Sequence, residues 1–327
     1  METVLVTGGC GYIGSHVVRQ LSEAGFRVVV YDNLSTGFAD ALVNGETLVQ
    51  GDLADTAAVE TLFAGYGFRT VLHFAASIVA PESVTNPLKF YANNTRNTLN
   101  LLQACVRHGV ERFVFSSTAA TYGMPENGHA SEESPTVPIN PYGTSKLMSE
   151  WMLRDTAAAH PLRFAILRYF NVAGADPRAR MGQRTPEATH LIKVCCEAAL
   201  GLRPEVCIYG TGFPTPDGTG IRDYIHVEDL ASAHLAALSH LAQGGESVLL
   251  NVGYGKGASV LEVIAMVKRV SGVDFKVVEK GSRPGDPAML VARAEKIRSV
   301  LDWKPVRDDL ETIISDAWNW ERKLHGR

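Results

Sequence analysis

Continuous apolar runs rich in Val, Ile, Leu and Phe alternate with longer amphipathic stretches through the first half of the chain, the pattern of parallel strands joined by helical crossovers. It predicts strands at 3–7, 27–32, 47–52, 70–75, 112–117 and 163–169, most of them apolar enough for burial on both faces of a sheet. Between the first two, Ile13, Val17 and Leu21 recur one helical turn apart, and Gly25 follows where a left-handed closing residue is wanted. Between the fourth and fifth, Leu88, Ala92, Thr95, Leu99, Leu102 and Val106 recur at steps of four and three and stop at Gly109. Both helices are expected to pack against the sheet. Beyond about position 174 the pattern changes to shorter elements between Pro/Gly-rich loops such as 209–220 and 281–287, which reads as a smaller second domain. One later apolar run, 248–252, is expected to rejoin the first sheet as a strand.

Composition narrows the class. With 327 residues, 46 % apolar and 20 % charged, the chain is too hydrophobic for disorder and long enough for two domains. Its 31 basic and 35 acidic residues give a net charge of −4 without a basic block, so no nucleic-acid partner is expected. No apolar run approaches the ~20 residues of a bilayer span, and the start lacks the basic region of a secretion signal, which predicts no membrane partner and a cytoplasmic location. The five cysteines, at 10, 105, 195, 196 and 207, form no CxxC pair, so neither disulfides nor a metal site is expected.

Chemistry enters directly after the first strand, where Thr7-Gly8-Gly9-Cys10-Gly11-Tyr12-Ile13-Gly14 opens a helix. Glycines at that turn let a pyrophosphate approach the backbone, and the helix N-terminus favours the anion. The second strand ends in Asp32, where a carboxylate accepts hydrogen bonds from ribose hydroxyls and repels a 2′-phosphate, so NAD is expected rather than NADP. Together these give an α/β fold, a Rossmann-type doubly wound parallel sheet over residues 1–174 with a smaller, loop-rich α/β substrate domain over 175–327. Further along, Asn140-Pro141-Tyr142-Gly143-Thr144-Ser145-Lys146 reads as a helix entry with Tyr142 and Lys146 on one face. A nearby ammonium stabilises a phenolate and suits Tyr142 to general-base work. Thr118, at the hydroxyl-rich end of the fifth strand, is placed to hydrogen-bond a reacting oxygen.

These motifs resemble the extended short-chain dehydrogenase/reductase superfamily. The run from Pro214 to Val227, containing Asp-Gly-Thr-Gly-Ile-Arg-Asp-Tyr-Ile-His, together with Leu167-Arg168-Tyr169-Phe170-Asn171, is similar more narrowly to the UDP-glucose 4-epimerase family, over essentially the whole chain. The resemblance implies Tyr142, Lys146 and Thr118 as catalytic residues. It implies a cofactor site of Gly8, Gly11, Tyr12, Ile13, Gly14, Asp32, Asn33, Leu34, Ser35, Thr36, Gly37, Asp52, Leu53, Phe74, Ala75, Ala76, Asn93 and Phe170, shared with Tyr142 and Lys146. On the substrate side it implies Thr118, Asn171, Tyr209 against the uracil, Arg222 and Arg283 on the diphosphate, and Asp286 at the uridine ribose. Tyr209 as a core aromatic is the competing reading. The chain departs from many relatives at Ile78, where a lysine is common, at His190, where an asparagine contacts phosphate, and at Leu290, where some carry a tyrosine that narrows the sugar pocket. His190 is either a replacement donor or a helix-surface histidine.

The implied reaction is NAD-dependent, reversible C4 epimerisation of UDP-hexoses, UDP-glucose to UDP-galactose, through a transient 4-keto sugar. Alternatives are a UDP-N-acetylglucosamine or UDP-uronic acid 4-epimerase, or a nonenzymatic NAD-binding redox sensor. A 4,6-dehydratase is disfavoured because Thr118 is followed by Ala119-Ala120 rather than Asp-Glu. The stretches 88–108 and 144–159 are candidates for a homodimer interface or, equally, for core packing.

Overall fold

The computed structural model describes residues 2–185, 188–283 and 286–327. Positions 284 and 285, within the 281–287 loop, lie outside the described residues. The strands in chain order are β1 (Thr3–Thr7), β2 (Arg27–Asp32), β3 (Thr47–Gln50), β4 (Thr70–His73), β5 (Arg112–Thr118), β6 (His129–Ala130), β7 (Arg163–Tyr169), β8 (Asn171–Ala173), β9 (Val206–Tyr209), β10 (Ile221–His226), β11 (Val248–Val252), β12 (Gly257–Ser259), β13 (Val277–Lys280) and β14 (Met289–Ala292). The helices used below are α1 (Tyr12–Glu23), α2 (Thr56–Tyr66), α3 (Ala80–Thr85), α4 (Pro87–Phe90), α5 (Asn97–Arg107), α6 (Pro141–Ala159) and α7 (Leu191–Ala199), with a π-helical turn at Tyr91–Arg96 between α4 and α5.

One compact unit comprises Met1–Gly123, Thr136–Arg168 and Ala231–Leu250. Its sheet has seven strands in the order β11-β7-β5-β4-β1-β2-β3. Strand β1 lies between β2 and β4 and pairs with both in parallel, so the connections leave it in opposite directions and a crevice opens at the carboxyl ends of β1 and β4. The continuous apolar runs follow from burial on both faces: Val4, Leu5 and Val6 have no exposed surface, and Leu5, Val29, Val71, Phe113 and Ile166 share a core with Leu62, Phe63, Leu101 and Leu153. Helix α1 starts at Gly11 without a side-chain cap and closes on Gly25 at φ 87°.

The helical stripe read between β4 and β5 does not behave as expected. Leu88 is 77 % and Leu99 42 % exposed, while Phe90, Asn94, Asn97, Thr98, Leu101 and Cys105 turn inward. Leu102, at 2 % exposure, does join the core, so only the N-terminal part of the stripe stays open while the adjacent face packs inward.

The other unit comprises Met124–Pro135, Tyr169–Leu230 and Asn251–Arg327. Strands β12-β10-β14-β6 form a small sheet with β8 also paired to β10, and β13 pairs with β9. Parallel registers set Arg222 opposite Leu290 and Tyr224 opposite Asn171.

Candidate active site

The glycine loop is built by close approach. A Cβ on Gly8 would lie 2.5 Å from the Ala75 amide nitrogen, and one on Gly14 would lie 2.2 Å from the Gly8 carbonyl oxygen, so neither position admits a side chain. A Cβ on Gly37 would likewise meet the Cys10 backbone at 2.8 Å. Asp32 ends β2 with its carboxylate accepting from the Cys10 amide at 2.9 Å and the Leu34 amide at 2.8 Å, which fixes its orientation beside the loop. Asn33 donates to Asp52 at 2.9 Å, and Asn93 donates to Ser77 at 3.0 Å. These contacts bring together Gly8, Gly11, Gly14, Asp32, Asn33, Gly37, Asp52 and Ala75. The uncapped α1 N-terminus, the glycines that a Cβ would obstruct and the buried terminal carboxylate of β2 fit a dinucleotide: amides for pyrophosphate, an acceptor for ribose.

The second cluster lies where β5 meets α6. Asn140 caps α6 by accepting from the Gly143 amide at 2.9 Å, and Pro141 takes the first turn, where its missing N–H costs nothing. Gly143 is needed for contact: a Cβ there would sit 2.5 Å from the Ala120 carbonyl oxygen, so only glycine lets the start of α6 approach the turn after Thr118. Tyr142 and Lys146 follow on one face, 8 % and 3 % exposed. Thr118 accepts from the Ala120 amide at 3.1 Å through one lone pair, keeping its proton for another acceptor.

Lys146 sits with its ammonium 4.3 Å from the centre of the Phe115 ring. Burial pushes its pKa down to about 7, opposed by the Glu150 carboxylate one turn further along α6. Glu150 is fully buried, accepting from the Ser117 hydroxyl at 2.6 Å and from Arg168 Nε and Nη2 at 2.9 and 2.5 Å. Arg168 also lies over the Tyr122 ring at 4.7 Å. Sequence reasoning missed Gly143, Phe115 and the Ser117–Glu150–Arg168 set. The first lies inside a motif already singled out, and Glu150 continues the Tyr142–Lys146 stripe by one more turn, a signal that was available.

In the second unit the substrate candidates fall into two groups and a cavity. Arg222 is 3.8 Å from Asp286, with Leu290 paired to Arg222 across the sheet. Arg283 lies 3.4 Å from the centre of the Tyr209 ring, and Tyr209 is 37 % exposed, which removes the core-aromatic reading. Asn171 and His190 line a common cavity with Gln183, Lys193, Tyr224 and Trp320. His190 is the residue that precedes α7, and its Nδ1 accepts from the Gln183 amide at 2.8 Å, so it is not a helix-surface histidine. Burial, then the Lys193 charge, lowers its pKa and keeps the ring neutral with Nε2 as the donor. The rest of the long motif braces the strand: the Asp223 carboxylate accepts from the amides of Tyr254, Gly255 and Ala292 at 3.0, 2.8 and 3.2 Å.

Comparison with known proteins gives a consistent result. Residues 4–253 match the family described as the NAD dependent epimerase/dehydratase family. A UDP-glucose 4-epimerase of Azospirillum brasilense is 56 % identical over 98 % of this chain and 92 % of its own length. Among solved structures, the UDP-Glc/GlcNAc 4-epimerase of Campylobacter jejuni is 50 % identical with a TM-score of 0.87, covering 99 % of this chain and 100 % of that one. The UDP-glucose 4-epimerase of Brucella ovis, solved in complex with NAD, is 42 % identical with a TM-score of 0.95, over 98 % of this chain and 99 % of that one.

Proposed function

The chain belongs to the NAD dependent epimerase/dehydratase family, and from that premise we propose that it interconverts UDP-glucose and UDP-galactose by inverting C4 through a transient 4-keto sugar. The observation that carries the reading is the buried Tyr142–Lys146 pair beginning α6, held against the turn after Thr118 by a glycine with no room for a side chain. Tyr142 removes the proton from the C4 hydroxyl, Lys146 stabilises the phenolate that makes this possible near neutrality, and Thr118 bridges the sugar oxygen and the tyrosine. NAD, when bound, would supply the redox chemistry, a hydride acceptor and then donor for C4. Gly8, Gly11 and the α1 N-terminus would hold its pyrophosphate and Asp32 its adenosine ribose.

In the second unit, Arg222 and Arg283 are assigned to the diphosphate and Asp286 to the uridine ribose. Paired guanidinium forks suit phosphate oxygens. Arg283 covers one face of Tyr209, so a uracil stacking there takes the other face or displaces the guanidinium. Anchoring through UDP leaves the ketone free to turn over.

Leucine at position 290, half-buried beside Arg222, favours a broader substrate range than a tyrosine there would allow, since close-packed interiors yield little to a sweeping N-acetyl group. Purified protein given UDP-glucose and UDP-N-acetylglucosamine separately, without added reductant, is expected to form both C4 epimers, and Leu290→Tyr to suppress the second selectively. Chromatography of the products checks it. No product from either sugar removes the proposed activity, and an equal loss on both removes the gating role of Leu290.

Two further assignments complete the reading. Val84, Leu88, Leu99 and Trp151 are exposed on α3, α4, α5 and α6, 42 to 77 % of their surface open, and we assign this apolar face to a homodimer contact, which a monomeric mass in sedimentation equilibrium would exclude. All five cysteines are free, as in a reducing compartment, and we place the enzyme in the cytoplasm, an assignment that export of the native protein would overturn. No helix among the described residues is long and apolar enough to cross a membrane.

A further inference from the structure

We infer that His73 is a positioning residue for the Tyr142–Lys146 pair, acting through a buried chain of hydrogen bonds from the end of β1 to α6; this rests on the acid–base assignment made above. The direction of every link is fixed by chemistry. The Thr98 hydroxyl donates to the Asn94 carbonyl at 2.6 Å, so toward His73 Nε2, 2.9 Å away, it is the acceptor and Nε2 carries the proton. His73 Nδ1 then accepts from the Thr7 hydroxyl at 2.6 Å. Burial, reinforced by the nearby Lys146 charge, pushes the His73 pKa down to about 3, so the ring stays in the neutral form that this chain requires.

From Asn94 the chain continues to the catalytic helix. Its side-chain oxygen accepts from the Ser77 amide at 2.7 Å, and its side-chain nitrogen donates to the Ser77 carbonyl at 3.0 Å and to the Ser145 hydroxyl at 2.9 Å. Ser145, one residue before Lys146, donates to the Tyr142 carbonyl at 2.8 Å. Thr7, His73, Thr98, Asn94 and Ser145 are each at most 2 % exposed, so water does not compete for these bonds. The π turn at Tyr91–Arg96 places Asn94 in an irregular helical segment, where backbone carbonyls are open to side-chain donors: the Asn94 carbonyl accepts from Ser149 of α6 at 3.2 Å as well as from Thr98.

The hydrogen bond from Nε2 to Thr98 also sets how the His73 ring lies, so the same chain governs its second contact toward the pair. The His73 ring stacks on Phe115 with centres 5.7 Å apart and planes at 23°, and Phe115 is the ring against which the Lys146 ammonium rests. One side chain therefore ties the strand end that enters the glycine loop, the β4 end and both sides of the tyrosine–lysine turn. A local anchor of this kind affects the chemical step more than substrate affinity, because misplacing a reacting group by about 1 Å costs up to roughly 10²-fold in rate.

The test cuts the chain at Thr98, since a His73 variant disturbs the sheet itself. Thr98→Val keeps the shape and removes the hydroxyl; Thr98→Ala makes the same cut should the valine not fold. The expected result is a kcat lower by roughly ten- to a hundredfold, with KM for UDP-glucose and the rise in Tm on adding NAD unchanged, and with Thr98→Ser restoring kcat. Wild-type kcat in the folded variant overturns the inference, as does a parallel loss in kcat, KM and Tm that serine does not rescue. Tyr142→Phe run alongside separates the two levels: if it retains turnover the acid–base assignment fails, whereas if it is inactive while Thr98→Val is unimpaired only the role of His73 fails.

Discussion

Replacing Tyr142 by phenylalanine lowers turnover by about 10² to 10⁴-fold, the usual contribution of a positioned general acid or base, while NAD and UDP still bind. The substitution removes one oxygen from a side chain that is 8 % exposed and whose ring stands edge-on to Phe90 at 6.4 Å, so the packing survives and the loss is chemical. Titration with UDP by calorimetry and steady-state rates on UDP-glucose separate binding from turnover. Turnover within threefold of wild type shows that another group takes the C4 proton.

Glu150→Ala has the largest expected effect on stability. Its carboxylate is fully buried and is the partner of Arg168, itself 2 % exposed, so truncation leaves a guanidinium without its counter-charge inside the protein. Breaking a buried pair in this way costs about 3–5 kcal/mol, although a well-packed apolar replacement of both partners can be neutral. The unfolding midpoint in urea is expected to fall accordingly, and Glu150→Ala combined with Arg168→Met to recover much of the loss. Turnover falls as well, because Glu150 is the charge that opposes the burial of Lys146. A midpoint unchanged by Glu150→Ala would show that Arg168 finds another partner.

Much of the first unit was legible in the sequence because its signals are local. The glycine loop, Asp32, Thr118 and the Tyr142–Lys146 spacing each lie within a few residues of a strand end or helix start, and strand and helix periods place them. The π turn was not legible, because one extra residue in a helix leaves the apolar steps of three and four almost unaltered; nor does a stripe of apolar positions say which side is covered, and Leu88 and Leu99 stay at the surface while Asn94 is buried. Partners far apart in sequence were equally invisible. Nothing local joins Thr7 to His73, and only the i, i+4 step from Lys146 pointed toward Glu150. In the second unit the long Asp-Gly-Thr-Gly motif was read for its arginine, but much of its polarity braces the fold, as the three amides around Asp223 show.

The central claim, oxidation and re-reduction at the same carbon with the hydride never leaving the site, is tested most directly by isotopic labelling. UDP-glucose carrying deuterium at C4 is incubated with the purified protein in ordinary water, without added reductant, and the UDP-galactose is examined by mass spectrometry and NMR. The label is expected to remain on C4 of the product. Exchange of that deuterium for solvent hydrogen would show that C4 is deprotonated rather than oxidised, and would contradict the account.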